Sequence, residues 1–477
     1  MANSANIWLI NDFTGGISDE TGRGIRGSFA YGEQLDFRTN TNQLTGVCIP
    51  AKNTTTVIDA PVKWIAQLGT TVYAYGTNQK IFKSGSPWTV ANTNAKTGVA
   101  NGMAAMGTKL YYAADGFLGI FDGNVTWDDD FQAFTDTTAN DWRPMKVFGP
   151  AGGLCIGDGR YIAVMDYDNV TYAATQLTLP LDTKVKCLEV YNDYLVIGTY
   201  KGASINDDNI STIYFWDGTS PTYNYQIDLN ESGIHALLAT SNGLLIQAGI
   251  RGNLYLYNGG MPVLIKRIPT YIKNGTTYNE IYPGAVTNYN GMALIGGPGS
   301  RTDTTSVTGI WSWGTINKNY PNVLNLDYLM STGTKTATTA NITAVQAIND
   351  TKLYFAWKDN TTYGIDLVGT TTPVTTCTYE SLSFDAGKAF TQKNFKSFFL
   401  NFGKMATGET ITLKYRKDTE TSWTTIGVIS STGEDFYEFD YGMKCRSLQV
   451  QIILSGTNST LPKLASFGAL YTEDELD

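Results

Sequence analysis

Residues 107–123 read GTKLYYAADGFLGIFDG, and residues 69–85 read GTTVYAYGTNQKIFKSG. Both run Gly-Thr, an apolar residue, Tyr, a short loop, an apolar-Phe pair and Gly. The shared pattern is a turn, a short apolar strand, a second turn and a second strand. It recurs in DGRYIAVMDYD (158–168), YNDYLVIGTYKG (191–202), SNGLLIQAGIRGNLYLYNGG (241–260), YNGMALIGGPG (289–299) and NDTKLYFAWKDNTTYGIDL (349–367). The first apolar positions after the turn are Val72, Leu110, Tyr161, Leu195, Leu244, Met292 and Leu353. Their mean spacing, about 47 residues, lies between the WD-type and kelch periods of four-stranded propeller blades.

Within a copy the chemistry is that of antiparallel hairpins. Asn242-Gly243 and Asn290-Gly291 precede apolar strands, and this dipeptide accepts the positive φ of a tight primed turn. In GNLYLYNGG, Leu254 and Leu256 alternate with Tyr255 and Tyr257, giving a strand with two apolar-bodied faces. One such sheet leaves a face wet, whereas radially stacked sheets cover each other and ring closure protects most edges. The expected fold is all-β, a β-propeller of about seven blades, with six or eight also compatible with the uneven spacing. A closing strand is expected from residues 33–59.

The texture changes near residue 377. ETITLKYRKDTETSWTTIGVI places Ile411, Leu413 and Tyr415 on one strand face and Trp423 and Ile426 on the return. SLQVQIILSG likewise alternates Leu448, Val450 and Ile452. The expected organisation is a glycine-rich N-terminal arm over 1–32, a propeller over 33–376 and a small antiparallel β-sandwich over 377–477, with 368–378 as linker. The front segment carries Arg23, Arg26 and Arg38 among few apolar residues, and reads either as an extended arm or as surface loops leading into the first blade.

Composition agrees with a β chain. Only 16% of the 477 residues are charged, while 49 Gly and 29 Tyr suit tight turns and pleated surfaces. The start, MANSANIWLINDFTGG, lacks the pattern of a secretory signal, and no stretch reaches the roughly 18 consecutive apolar residues of a membrane span. A soluble chain made without export is expected. Cys48, Cys155, Cys187, Cys377 and Cys445 are scattered and odd in number, so buried free thiols are expected. Asn-x-Ser/Thr triplets such as those at Asn53 and Asn274 follow from composition. The formal charge of −9 argues against duplex nucleic-acid binding, which needs clustered Lys and Arg.

No catalytic set is legible. His235 is the only histidine and enters a strand in ESGIHALLAT, where a hydrogen-bonded structural role is expected. One histidine excludes HExxH-type zinc sites, and no Gly-x-Ser-x-Gly elbow exists. The acidic clusters Asp128-Asp129-Asp130, Asp166 with Asp168, and Asp207-Asp208 sit in turn-like contexts, where Asp caps backbone N–H groups, and none has EF-hand spacing. IFDGNVTW (120–127) is similar to the sialidase Asp-box, with Asp122, Thr126 and Trp127 matching and Ile120 and Asn124 departing. In that family the box is a structural turn remote from the active site. GGPGS and GPAGG lack phosphate-loop order. No metal, cofactor or catalytic residue is expected. Trp311 and Trp313 in GIWSWG, and Tyr223 and Tyr225 in TYNYQ, are the weak candidates for stacking on sugars or partners, with packing between blades as the alternative.

The head NDFTGGISDETGRGIRGSFAYGEQLDFRTNTNQLTG, the degenerate hairpins and the tail beginning ESLSFDAGKAFTQKNFKSFFLNFG together resemble virion structural proteins of tailed bacteriophages, in which a propeller is joined to a small β-sandwich. The resemblance implies a non-enzymatic tail or neck part, nozzle-like, in a homo-oligomeric, hexameric ring. Its partners would be copies of itself and other tail or neck proteins. It would reside in the virion after assembly in the host bacterial cytoplasm, without membrane insertion or sequence-specific nucleic-acid binding. The chain is compact for a nozzle and lacks a separate tube-forming platform. A tail module binding host-surface glycan, and a propeller glycoside hydrolase, are the alternatives.

Overall fold

A computed structural model describes residues 5–473 except 19–21, 23, 53–57, 86, 97, 139–140, 151, 169, 202–209, 250–251, 269–272, 275–276, 279, 298–299, 303–304, 317–318, 332–338 and 458. Arg23, Asn53, Asp207 and Asp208 of the sequence reading therefore lie outside the described residues. All regular structure among the described residues is β, and none is a helix long and apolar enough to cross a membrane.

The chain forms two compact units: Met1–Pro50 with Trp311–Leu329 and Val368–Asp477, and Ala51–Ile310 with Met330–Leu367. These cut across the boundaries expected from sequence. The front segment is no free arm, because Asn6–Ile10 pairs antiparallel with Leu464–Glu473 (Asn6 opposite Tyr471) and Ser28–Glu33 pairs with Thr376–Ser381. Backbone pairing with strands more than 340 residues away leaves no local trace that pattern reading can find.

The repeats are four-stranded antiparallel meanders. The first is Val62–Leu68, Thr71–Gly76, Lys80–Lys83 and Thr89–Thr93. We number the first strands of successive meanders β1 (Val62–Leu68), β2 (Gly102–Met106), β3 (Met145–Phe148), β4 (Thr183–Tyr191), β5 (Ile234–Thr240), β6 (Val286–Tyr289) and β7 (Asn341–Ile348). Six of the seven sequence anchors, Val72, Leu110, Leu195, Leu244, Met292 and Leu353, fall in the second strand of their sheets. The exception in meander order is at Tyr161, which lies in the third strand of its sheet, after Gly153–Asp158. The β3 meander is out of step because residues 153–158 supply a further apolar strand ahead of the DGRYIAVM copy.

Each first strand contacts the next in chain order, and β7 contacts β1, so the first strands close a ring. Cys48–Lys52, from the stretch expected to close the ring, is the outermost strand of the β7 sheet. Sheets pack face to face. Val62, Val72, Phe82 and Trp88 of the first sheet share a core with Ala344, Tyr354 and Ile365 of the last. Trp88 meets Tyr354 edge-on at 5.9 Å. A buried large apolar side chain contributes roughly 1.5–3 kcal/mol, so these shared layers hold the sheets together. The result is a propeller-like, all-β fold.

Turn chemistry matches the strands. Asn290 and Gly291 take φ of 49° and 74°, as the primed turn requires, and Asn349-Asp350 does the same without glycine at 48° and 52°.

The smaller unit contains a four-stranded sheet, Asn6–Ile10, Leu464–Glu473, Lys393–Phe402 and Phe436–Cys445, and a six-stranded sheet that includes Thr376–Ser381, Leu448–Ser455 and Thr410–Lys417. Ile411, Leu413, Tyr415, Leu448, Val450 and Ile452 are all buried, as the alternation predicts, while Trp423 stays half-buried beneath the Arg416 guanidinium. Trp8 stacks on Phe384 at 4.5 Å, and Phe13 and Phe29 close on Tyr379.

Candidate ligand-binding site

The residues singled out from sequence are structural in this fold. Trp311 is fully buried and Trp313 nearly so, and neither offers a ring face to a sugar. Their apolar neighbours in GIWSWG place the whole strand in the interior, which overturns the stacking role considered for them. Trp311→Ala is expected to cost about 3–5 kcal/mol in urea unfolding, the usual cost of emptying a large core site, and to leave carbohydrate binding unchanged. Loss of sugar binding without loss of stability would restore a surface role. Tyr225 is partly exposed but lies flat on Phe215 at 4.3 Å, and Tyr223 packs on Tyr214 at 4.7 Å.

The acidic clusters are held by local donors. Asp122 Oδ1 accepts the N–H groups of Asn124, Val125 and Thr126 at 2.8–3.0 Å, which keeps its carboxyl below the usual carboxylate range, and Trp127 stacks on Phe121. Asp129 accepts from Asn92, Ala95 N–H and Tyr112, Asp130 pairs with Lys96 at 2.7 Å, and Asp166 accepts from the N–H groups of Val170 and Thr171. Among the described residues no three His, Cys, Asp or Glu side chains converge as a metal site. The cysteines are free, and burial pushes the Cys155 thiol up to about 12.

A different group of side chains converges at the mouth of the ring of first strands. Trp142, in the segment leading into β3, is buried and meets three other sheets. Lys63 Nζ of β1 lies 4.6 Å from its ring centroid and Lys186 Nζ of β4 lies 5.3 Å away. The Trp64 ring of β1 stands at 6.2 Å and Tyr282, in the segment leading into β6, at 5.9 Å. A side chain touched from so many directions stands inside the ring. Lys358, on the second strand of the last sheet (Lys352–Asp359), completes the group by donating to the Tyr282 hydroxyl at 3.0 Å.

Backbone fit holds the segment bearing Glu280 and Tyr282 in place. Gly284 O accepts from Val345 N–H at 2.8 Å, and a Cβ at Gly284 would lie 2.8 Å from the Lys63 carbonyl oxygen. Asn341 Nδ2 also donates to the Glu280 carbonyl.

The electrostatics are unusual for an interior. Lys186 is completely buried, and burial first, then repulsion from Lys63, pulls its amine down to about 8 against the attraction of Glu280. Lys63 and Lys358 are half-buried and also lie below the usual lysine range because of burial, with Glu280 opposing the shift in both. Lys63 and Lys358 repel each other. Glu280, the acidic side chain that all three feel, is exposed. Lys63 Nζ meets no hydrogen-bond acceptor among the described residues, and Trp64 Nε1 is buried without one.

Beneath the lysines, His235 of β5 accepts from Lys186 Nζ through Nδ1 at 3.2 Å and donates from Nε2 to Gly249 O at 3.1 Å. Burial and the Lys186 ammonium hold it well below the ordinary imidazole value, and thus neutral. It is hydrogen-bonded on both sides, as the sequence reading expected of a structural histidine. Chemically the cluster is a partly desolvated group of three lysines, two of them over the Trp142 ring and the third on the Tyr282 hydroxyl, with the exposed Glu280 beside them. Sequence reading missed it. The available signal was a lysine inside each of three apolar strands, in VKWIAQL, TKVKCLEVY and KLYFAWKD.

No family model and no curated protein matches this chain. Similar solved structures are two of the extracellular domain of BT4673 from B. thetaiotaomicron. One, described as a one-component system, has a TM-score of 0.47 and 14% identity, covering 76% of this chain and 45% of that one. The other, described as a hybrid two-component system, has a TM-score of 0.48 and 14% identity, covering 83% and 48%. The chain thus spans less than half the length of these structures. They are extracellular domains of a bacterial sensor and not virion proteins, which overturns the phage resemblance together with the tail or neck role and the virion location drawn from it. The reason lies in the repeat itself: Gly, Asn and Tyr recur because a stacked four-stranded sheet needs tight turns and apolar-bodied faces, whatever protein carries it.

Proposed function

We propose that the ring is a seven-bladed β-propeller, that the smaller unit is a β-sandwich, and that the chain is a non-catalytic recognition protein binding an anionic ligand at Lys63, Lys186 and Lys358. The cyclic contacts of β1 to β7 and the closing strand Cys48–Lys52 support the blade count. The four-stranded and six-stranded sheets of the smaller unit support the sandwich, with Trp8 of the first stacked on Phe384, which bridges to Leu448 of the second. The observation that carries the function is the cluster of three ammonium groups sharing one exposed carboxylate. Buried cations are costly, and groups with perturbed ionisation held together in a preformed site mark binding positions.

The test is a thermal-shift and calorimetric titration of the full chain at constant ionic strength with glucose, glucuronate and glucose 6-phosphate. An anionic member should bind and raise the melting temperature while glucose does not. Lys63→Met should weaken binding by about tenfold, and Glu280→Gln, which removes the internal counter-ion, should strengthen it by a similar factor. No binding by either anion, or binding indifferent to both substitutions, would refute the assignment.

A further inference from the structure

We infer that the ring-mouth site selects a doubly charged tetrahedral oxyanion, a phosphate monoester or the free ion, over singly charged carboxylates and sulfate esters. The inference rests on the reading of this site as an anion site and concerns which anion it takes. Lys63 feels both Lys186 and Lys358, and all three lysines feel Glu280. Asp141 is neutralised by Lys184 at 2.8 Å and Asp158 by the buried Arg143, while Asp115 acts on Lys63 more weakly than Glu280 does. The cluster therefore keeps an excess of positive charge greater than one, which a dianion balances more fully than a monoanion.

Donor geometry agrees. All three cations are lysines, compact point charges that each direct N–H bonds to a single oxygen, and they approach from three different sheets. A carboxylate presents two coplanar oxygens and is best matched by the guanidinium fork, which none of the three supplies. A tetrahedral anion offers an oxygen to each of these directions. With Lys186 wholly buried and Lys63 and Lys358 half-buried, water screens the second charge poorly, so the difference between monoanion and dianion is felt at the site.

The experiment is calorimetry on the full chain at constant ionic strength and about pH 7.5, where a phosphate monoester, with its second ionisation near pH 6, is a dianion and inorganic phosphate is mostly one. The probes are inorganic sulfate, inorganic phosphate, glucose 6-phosphate, glucose 6-sulfate and glucuronate. At least one dianion should bind about tenfold or more tightly than both monoanions, and Lys63→Met or Lys358→Met should erase most of that preference. Tighter binding of glucose 6-phosphate than of the inorganic ions identifies a monoester ligand, and the reverse order identifies the free ion. Glucuronate or glucose 6-sulfate binding as tightly as the dianions overturns the charge selection while leaving an anion site standing. No binding by any probe overturns both.

Discussion

Lys186→Met is expected to make the folded chain more stable by about 2 kcal/mol at neutral pH while weakening anion binding by tenfold or more. The wild-type amine is lowered from 10.5 to about 8, chiefly by burial, which corresponds to a penalty of roughly 3 kcal/mol for keeping it charged in the interior. Methionine removes that penalty, fills a similar volume, and gives up the bond to His235 Nδ1, worth about 1 kcal/mol. The pH dependence supplies an independent check. Between about 8 and 10.5 the unfolded chain keeps its proton on Lys186 and the folded chain has lost it, so wild-type stability rises with pH across that window. The variant lacks this rise, and the two urea-unfolding curves should converge toward the alkaline end. At the acid end, His235 is neutral when folded but protonates when unfolded, so stability falls as pH drops below 6.5, less steeply once the Lys186 charge is gone. A variant that is less stable than wild type at neutral pH would mean that the lysine supports the fold instead of burdening it. A stabilising change that removes binding is the signature of a group retained for a ligand.

Arg143→Leu should do the opposite, destabilising the chain by about 3–5 kcal/mol with no change in the lysine cluster. Its side chain and that of Asp158 are both completely buried, and they approach to 3.5 Å. The guanidinium also donates to the carbonyls of Asp136 and Asp115 and lies over the Phe134 ring at 5.1 Å. Removing it strands a carboxylate that, among the described residues, retains the N–H groups of Thr135 and Asp136. Arg143→Leu combined with Asp158→Asn should recover roughly half of the loss, because a neutral amide oxygen still accepts those two bonds without an uncompensated charge. Denaturant unfolding of both variants measures this, and equal losses in the single and double variants would exclude the stranded charge as the cause.

How far each feature was legible depends on the range of the interaction that makes it. Val72, Leu110 and Leu244 announced their strands because a turn residue and an alternating apolar pair are contiguous in the chain. His235 was placed correctly for a related reason: a lone polar ring inside ESGIHALLAT has to be hydrogen-bonded to be tolerated. Trp311 and Trp313 were ambiguous, since the same aromatic alternation serves a core and a sugar platform, and only burial separates the two. Residues 6–10 looked like an arm because the partner that makes them a strand, Leu464–Glu473, lies at the other end of the chain.

By itself the sequence determined the alternation of strand and tight turn, the repeat and the absence of a recognisable catalytic set, all of which are written within windows of a few tens of residues. Tertiary structure alone decided that Lys63, Lys186 and Lys358 meet around Trp142 and share Glu280. The physical reason is geometric. Each strand's pattern states which faces are apolar, but the direction in which a lysine finally points is set by the angle that every intervening sheet adds before the ring closes.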